Sequence, residues 1–346
     1  EATCAEPACV VLDAQNYRRA IYIASGDVSL RRLNITRGRS TYSPADGGGI
    51  RNQGGSLQLE SCAVSNNYAQ GSAGGIKHHA GVLVMRNTIV SHNTGGHAVN
   101  INLHPTGAAA QLTGCVITNN EGGGISVSGG DSEAFVMDHT HVTSNRIAAS
   151  YGRGAGMYMY SVSVDTTVYV RGEMASITNC LIADNHNEGA EGGGFYIKRS
   201  GIRLINSTVR DNSATVSTTQ GKGGGVYSQA QYSCCTVSLE NTSVYGNYAL
   251  YGSAVYAEGH QQTTRYNYRF LLDALSMLGG AVDNNHPLLA GDGMCPSPPL
   301  YHSTERCSEA NTRLYGTVPP GGESPVDGCA SLQESAMPCG SLSPLQ

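Results

Sequence analysis

Two aspartates, Asp184 and Asp211, are the best candidates for acid–base chemistry in this chain of 346 residues. Each stands immediately before an asparagine, in the phrases IADN (182–185) and VRDN (209–212). If the phrases belong to adjacent layers of one repeat, the carboxylates lie about 5 Å apart, a separation that suits a retaining glycosidase or a cation site. Two solvated carboxylates on an exposed corner give the same pattern, and we adopt this simpler interpretation.

Histidines are the other residues with metal-binding chemistry. His78 and His79 are adjacent, and Asp138, His139 and His141 form a second group, in which the two histidines alternate along one predicted strand face. Imidazole and carboxylate groups bind a metal when three or four of them converge. Neither group has a further partner at a fitting spacing, so we expect no metal site and no cofactor.

The composition excludes several classes of protein. Gly accounts for 45 residues, charged residues for only 14%, and the net charge is −5. Such low charge is not typical of coiled coils, long-helix bundles or charged disordered regions. The negative net charge provides no basic surface for nucleic acid. No apolar run approaches the ~20 residues of a membrane-spanning helix, so we expect neither a nucleic-acid partner nor a membrane span.

An internal repeat positions the candidate residues. A β-branched residue, two variable residues and an asparagine are followed by a loop and a Gly-rich step into another apolar segment. Eight copies align on the asparagine or its equivalent: Gly38, Asn67, Asn93, Asn120, Asn145, Asn185, Asn212 and Asn247. Most variation in repeat length falls in the loop between the asparagine and the glycines, as in a solenoid with constant rungs and variable loops.

Apolar or small residues recur at four fixed positions before the asparagine: ten, eight, five and three residues earlier. Positions ten and eight, like positions five and three, have the period of two that indicates a strand, and the break between the pairs indicates a corner. A third strand follows the Gly step. The sequence therefore predicts an all-β parallel β-helix over residues 28–285, with about nine rungs of three short strands spaced about 4.8 Å apart. We expect the corner asparagines to adopt the left-handed conformation and to hydrogen-bond along the stack.

With these repeats the chain resembles the right-handed parallel β-helix proteins of the pectin-lyase-like superfamily. Its paired V/I-x-x-N and G-G-x-I/V signatures resemble the repeats of polymorphic outer-membrane-protein-type adhesins, over about Val28 to Val282. The resemblance implies a right-handed solenoid, on which lyases, hydrolases, epimerases, adhesins and structural fibres are all built. The NTD, DD, GHG and RIK motifs of polygalacturonases and the DPH triplet of alginate epimerases are absent from this sequence.

The two ends of the chain differ from the repeats. Residues 1–27 are expected to form an N-terminal cap with an irregular opening rung. Residues 286–346 are rich in Pro and Cys and are expected to form an irregular tail or an assembly segment. Before this tail, residues 270–278 have apolar positions at helical spacing, which predicts a short capping helix.

The eleven cysteines fall into two groups. Cys62, Cys115 and Cys180 share the position five residues before the asparagine, in rungs that are two apart and thus too distant for a disulfide. We expect them to be buried free thiols. The other eight could form up to four disulfides of undetermined connectivity: Cys4, Cys9, Cys234, Cys235, Cys295, Cys307, Cys329 and Cys339.

Two columns of side chains are predicted to face outward. One lies directly after the apolar residue that follows the Gly step and forms a tyrosine strip: Tyr158, Tyr196, Tyr227 and Tyr256. The other lies four residues before the asparagine and is aliphatic: Ala63, Ile89, Val116 and Leu181. An exposed strip of either kind could bind a sugar or a protein partner, whereas the tyrosines could equally serve cross-rung packing within the sheet.

Several features favour a secreted protein. The chain begins at Glu1, which we interpret as the start of a mature protein, and it contains many Cys and three glycosylation sequons, at Asn34, Asn206 and Asn241. We predict an extracellular or cell-surface location and a non-enzymatic structural or adhesive role, as a subunit of a fibre or surface appendage that associates with itself or with other extracellular proteins. The alternatives are a polysaccharide lyase, glycoside hydrolase or epimerase acting on acidic glycans, and a glycan-binding adhesin.

Overall fold

The predicted parallel β-helix is confirmed by a computed structural model of the chain. The structure describes residues 10–104, 107–129, 134–148, 152–160, 162, 175–215, 221–229 and 237–258, and the strands at 275–278, 282–283 and 286–287. These residues contain no α-helix, and the chain winds through about eight turns of a solenoid. Each strand pairs in parallel with strands one turn away.

Three long sheets run along the solenoid, and their strands are numbered in chain order. The first sheet contains β1 (Val10–Asp13), β4 (Leu33–Thr36), β8 (Ala63–Ser65), β12 (Ile89–Ser91), β15 (Val116–Thr118), β18 (His141–Thr143), β22 (Leu181–Ala183), β26 (Thr208–Arg210), β30 (Ser243–Tyr245) and β34 (Val282–Asp283). The second contains β2 (Ile21–Ile23), β6 (Ile50–Asn52), β10 (Ile76–His78), β13 (Val99–Asn102), β16 (Ile125–Ser128), β20 (Met157–Tyr160), β24 (Phe195–Lys198), β28 (Val226–Gln229) and β32 (Val255–Glu258). The third contains β3 (Val28–Arg31), β7 (Leu57–Glu60), β11 (Val82–Arg86), β14 (Ala109–Thr113), β17 (Phe135–Asp138), β21 (Ala175–Thr178), β25 (Ile202–Ile205), β29 (Val237–Glu240) and β33 (Leu275–Leu278).

Most turns also contain a fourth, very short strand directly after the corner asparagine, which the sequence did not predict. These strands are β5 (Arg39–Ser40), β9 (Tyr68–Ala69), β19 (Arg146–Ile147), β23 (His186–Asn187), β27 (Ser213–Ala214), β31 (Tyr248–Ala249) and β35 (His286–Pro287). Single bridges from Tyr68 through Thr94 and Glu121 to Arg146 connect β9 to β19. A two-residue strand has no alternation that a search for period two could detect.

The apolar columns predicted from the repeat form the core. Leu57 and Val64 are fully buried and stand in register with Leu83 and Val90 one turn later. The same match of like side chains continues from turn to turn, so the buried cluster is continuous along the described stack. Between the core strands the chain must turn sharply, and the corners decide which side chains reach the surface.

Each turn has two corners with left-handed backbone, but neither of them is at the ladder asparagine, where we expected it. The ladder asparagines lie outside the left-handed region, and the residue before each of them adopts it instead. That position is held by Arg37, Asn66, His92, Asn119, Ser144, Asp184, Asp211 and Gly246, with φ between 53° and 65°. The second corner lies five residues earlier, at Arg32, Ser61, Asn87, Gly114, His139, Asn179, Asn206 and Asn241. The preceding residue makes the turn, which leaves the asparagine free to point its amide into the interior.

At the C-terminal end of the solenoid, the structure corrects the predicted capping helix and shows how the last strands pair. Leu275–Leu278 form strand β33 and not part of a capping helix, because a short apolar run fits either period. The phrase LGGAV (278–282) imitates a Gly step, yet Val282 pairs with Val244 of the first sheet. The sequence V-D-N-N (282–285) repeats the V-x-x-N spacing and is the signal for this register.

Candidate functional site

The corner asparagines form a continuous hydrogen-bond ladder inside the solenoid, as predicted. From Asn67 to Asn247, each Nδ2 donates to Oδ1 of the next asparagine at 2.9–3.0 Å. The backbone N–H of each asparagine donates to the same oxygen, and Nδ2 also donates to a carbonyl one turn back, as Asn93 does to Val64. The ladder asparagines are buried, so these bonds fix the corner that displays the residues on either side.

Asp184 and Asp211 lie on this corner in adjacent turns, with Arg210 between them. One Arg210 guanidinium nitrogen lies 3.8 Å from Asp184 Oδ2 and contacts Asp211 Oδ2 directly. The hydrogen bond to Asp211 and the charge of Asp184 raise the pKa of Arg210. A cation of the chain itself therefore lies between the two carboxylates and pairs with both of them.

The second histidine group does not share a strand face, contrary to expectation. His139 occupies a left-handed corner, and His141 begins β18 two residues later. Asp138 lies 2.9 Å from His139 Nδ1 and accepts a hydrogen bond from Asn179, and these contacts lower the pKa of Asp138. Within the described ranges, no three His, Cys, Asp or Glu residues are arranged to hold a metal ion.

His78 is fully buried, and its hydrogen bonds fix its tautomer. Nε2 donates to the Gly81 carbonyl at 3.0 Å, and Nδ1 accepts from Asn52 Nδ2 at 3.0 Å. Burial lowers the pKa of His78, and the neighbouring His79 and Lys77 lower it further. The ring is therefore a neutral structural group whose two nitrogens are already used.

Cys62, Cys115 and Cys180 are buried and free, as predicted. Hydroxyl residues alternate with them along the column: the Cys115 N–H donates to Thr140 Oγ1 at 3.2 Å, and the Cys180 N–H to Ser207 Oγ at 3.1 Å. Burial raises the pKa of Cys115 to about 11 and that of Cys180 to about 12, so both thiols are protonated and inert at neutral pH. The eight cysteines predicted to form disulfides lie outside the described residues: Cys4, Cys9, Cys234, Cys235, Cys295, Cys307, Cys329 and Cys339.

The predicted tyrosine strip exists as a ring stack, but it is not an exposed surface. Ring centroids from Tyr158 through Tyr196 and Tyr227 to Tyr256 are 5.4, 4.8 and 5.7 Å apart. Tyr196 and Tyr227 are each only 1% exposed, which contradicts the prediction of an accessible strip. Stacking at one ring per turn covers both faces of each central ring, and the Arg153 guanidinium lies 5.1 Å from the Tyr196 centroid. The central rings thus pack the sheet and present no open face for a sugar.

The aliphatic column is also less exposed than predicted. Ala63 is 3% exposed, while Ile89, Val116 and Leu181 are half-buried. Cross-turn pairing explains this, because Val116 lies between Ile89 on one side and His141 on the other. His141 also interrupts the column, so these residues pack within the first sheet and do not form a continuous apolar strip.

The three glycosylation sequons differ in accessibility. Asn206 and Asn241 are exposed at successive left-handed corners, where Asn241 Nδ2 donates to Asn206 Oδ1 at 2.8 Å. Asn34 is half-buried in the first sheet, and its Oδ1 is buried without a hydrogen-bond partner among the described residues. The exposed amides of Asn206 and Asn241 are therefore the ones that an enzyme could reach.

A polar groove runs beside the ladder, and the sequence analysis missed it. It has a volume of about 370 Å³ and is lined by residues of four turns: His92, Asn119, Asn120, Glu121, Ser144, Arg146, Asp184 and His186. Arg146 pairs with Glu188 at 2.8 Å, and His186 Nδ1 lies 2.8 Å from Ser213 Oγ. The sequence signal that could have predicted the groove is the polar character of the residues directly before and after each ladder asparagine.

In the part of the chain that the structure describes, the N-terminal end of the solenoid exposes apolar side chains on a sheet edge without a neighbouring strand. β1, β2 and β3 are the outermost strands of the three long sheets, with no described strand on their outer side. Val10, Val11 and Leu12 are 61%, 54% and 36% exposed, and the core behind them is incompletely covered at Ile21 and Leu30. Unpaired strand edges with exposed aliphatic side chains are templates for association with another strand.

No helix in the described part of the chain is long and apolar enough to cross a lipid bilayer. Comparisons with protein-family models, with curated proteins and with solved structures find no match.

Proposed function

We propose that this protein is a secreted, non-enzymatic structural subunit that assembles into an extracellular or cell-surface fibre. The observation that carries the proposal is the N-terminal edge, where β1 has no described strand on its outer side and Val10 and Val11 are exposed. Natural sheet proteins blunt or cover such edges unless they use them for association. A parallel solenoid is polar, so contact between opposite ends of two copies is heterologous and continues into an open filament.

The interior supports a mechanical role. The asparagine ladder and the apolar columns repeat the same contacts in successive turns, which gives a uniform rod. The acid–base candidates support the same role, because Asp184 and Asp211 both pair with Arg210. Turnover of an acidic polysaccharide that is lost in Asp184→Asn or Asp211→Asn would instead assign an enzyme.

The repeat signatures support a relationship to known β-helix families. We propose that the chain is related to the pectin-lyase-like superfamily, with right-handed winding, and to the adhesins whose repeats carry V/I-x-x-N and G-G-x-I/V. If the protein is extracellular, other extracellular proteins are further partners. The exposed Asn206 and Asn241 are then the expected glycosylation sites.

Assembly of the full chain can be tested by sedimentation velocity and negative-stain electron microscopy over a range of concentrations. Val10→Lys with Val11→Lys adds two charges at the open edge without entering the core, and it should abolish filaments. Val82→Lys with Val136→Lys makes the same change at valines on the sides of the stack, which are 37% and 36% exposed, and it should leave filaments intact. A wild-type chain that stays monomeric at every concentration would contradict the proposal.

Glycan binding is a second candidate function, favoured by the groove beside the ladder. Its carboxylate, imidazole, amide, hydroxyl and guanidinium groups suit the hydrogen bonds of a hydroxyl-rich ligand. Binding to a glycan array that is lost in Glu121→Ala with His186→Ala, and retained in Val10→Lys with Val11→Lys, would assign it to the groove. Absence of binding to any arrayed glycan would remove this candidate.

A further inference from the structure

We infer that the N-terminal end of one copy binds residues 288–346 of the next copy, an inference that rests on the proposed fibre. The docking surface consists of the outer edge of β1 and the exposed arginines of the opening turn, residues 10–40. The occupant is the acidic segment that follows the last described strand, β35.

The docking surface is strongly basic in a chain that is acidic overall. Residues 10–40 contain six Arg, two Asp and no Lys or Glu, a net charge of +4, while the whole chain carries −5. Five of these arginines are exposed: Arg18, Arg31, Arg32, Arg37 and Arg39. Arg31 pairs with Glu60, and Arg37 pairs with Asp13. The other three make no ion pair with any described residue, so they remain available for carboxylates of a partner.

Residues 288–346 have the opposite charge. They contain two Arg, no Lys and six acidic residues, a net charge of −4: Asp292, Glu305, Glu309, Glu323, Asp327 and Glu334. Leu, Val and Tyr are interspersed with the acids, as in the phrases PPLYHSTE (298–305) and RLYGTV (313–318). One segment therefore offers carboxylates for the free arginines and apolar side chains for the bare face of Val10 and Val11.

The open edge explains what the segment gains by docking. An extended stretch that adds to β1 would pair with its outer backbone groups while its alternate side chains cover the aliphatic edge. Arginine–carboxylate contacts around the rim would set the position of the segment and accelerate encounter between copies. The interaction should therefore weaken as the salt concentration rises.

The path of the chain favours the next copy over the same copy. β35 ends the five-stranded sheet that begins at β19, whereas β1, β2 and β3 lie at the N-terminal ends of the three long sheets. The stack between these ends is roughly 40 Å long at 4.8 Å per turn. In a head-to-tail filament the segment leaves one solenoid directly beside the arginines of the next, whereas its own arginines lie a full stack length away.

Charge exchange in the full chain tests the inference. Variant one carries Arg18→Glu, Arg32→Glu and Arg39→Glu, which changes the net charge of residues 10–40 from +4 to −2. Variant two carries Glu305→Lys, Glu309→Lys and Glu323→Lys, which changes the net charge of residues 288–346 from −4 to +2. Each variant alone should need at least a tenfold higher concentration than wild type to form filaments, because end and segment then have like charge. An equimolar mixture should form filaments at the wild-type concentration, because each end then meets a segment of opposite charge. Arg86→Glu, at an exposed arginine on the side of the stack, should leave assembly unchanged.

The outcomes separate the inference from the proposed function. If wild type and both variants form filaments at the same concentration, the inference is overturned and the proposed fibre is not. Variants that assemble poorly and are not rescued by mixing would also overturn it, since the charges would then act separately or within one copy. A wild-type chain that never assembles would overturn the fibre itself. Circular dichroism should report the wild-type fold for variant one and for Arg86→Glu, because every substituted arginine is exposed.

Discussion

Asn120→Asp should destabilise the solenoid far more than Asn119→Asp, although the two positions are adjacent and receive the same charge. Asn120 is 1% exposed, and its Nδ2 lies within 3.0 Å of three acceptors: Val90 O, Thr118 O and Asn145 Oδ1. Aspartate replaces this donor with an oxygen, so a buried carboxylate would face three oxygens. Asn119 is exposed at the left-handed corner, with φ of 55°, which aspartate tolerates.

The magnitude follows from the lost hydrogen bonds and the new charge. Each lost bond costs about 1 kcal/mol, and a buried charge without a compensating donor costs several kcal/mol more. The Asn93 N–H and Nδ2 still donate to the remaining side-chain oxygen, which offsets part of this loss. We expect Asn120→Asp to lower the free energy of unfolding by about 4 kcal/mol at pH 7, and Asn119→Asp by less than about 0.5 kcal/mol. Relative to wild type at the same pH, the loss should shrink near pH 4, where the protonated acid can donate one hydrogen bond.

Urea unfolding measures the difference directly. Far-UV circular dichroism follows the sheets, and tyrosine fluorescence provides a second probe in a chain with 19 Tyr and no Trp. The midpoint for Asn120→Asp should fall well below those of wild type and Asn119→Asp. Equal midpoints for the two variants would refute the claim that the buried ladder is a main source of stability.

Three further predictions concern the backbone, the buried histidine and the thiols. Ala73 has φ of 61° at a corner that other turns fill with glycine. Ala73→Gly should therefore raise the free energy of unfolding, measured by urea titration, by about 0.5–1 kcal/mol. A lower free energy of unfolding in this variant would contradict backbone strain at Ala73. Burial lowers the pKa of His78, so the unfolded chain binds the proton first and stability should fall as the pH drops below about 6.5. His78→Gln should flatten this dependence relative to the exposed control His92→Gln, and equal slopes would contradict it. Cys115 and Cys180 should resist iodoacetamide at pH 8 until the chain is unfolded, as mass spectrometry of labelled peptides would report, and rapid labelling of the native chain would contradict their burial.

The fold could be predicted largely from the spacing of residues in the repeat. Columns such as Leu57 over Leu83 follow from period two within a strand and from like residues one repeat apart. The asparagine ladder was predictable because a recurring amide at a buried corner needs partners that only the neighbouring turns supply. The left-handed residue was misplaced by one position, since sequence spacing does not say whether the amide or its neighbour makes the turn.

The candidate site was harder to predict, because it depends on contacts between side chains of different turns. The alternation of a strand places Tyr196 and Tyr227 on its outer face, but their burial results from ring stacking across turns. Likewise, Arg210 stands one residue before Asp211, and only its rotamer reveals that it also reaches Asp184. An unpaired edge such as that of β1 could be expected, since every solenoid has two ends. The exposure of Val10 and Val11, and the arginines without an ion pair among the described residues, could be identified only from the structure.

Cryo-electron microscopy of the purified full chain at increasing concentration tests the central claim most directly. Our account predicts filaments one solenoid wide, in which all copies point the same way and the β1 edge of each copy contacts the far end of its neighbour. The 4.8 Å spacing of the turns should run along the filament axis, with a longer repeat of at least roughly 40 Å for each copy. Isolated rods at every concentration, or copies joined side by side through the tyrosine-bearing sheet, would contradict it.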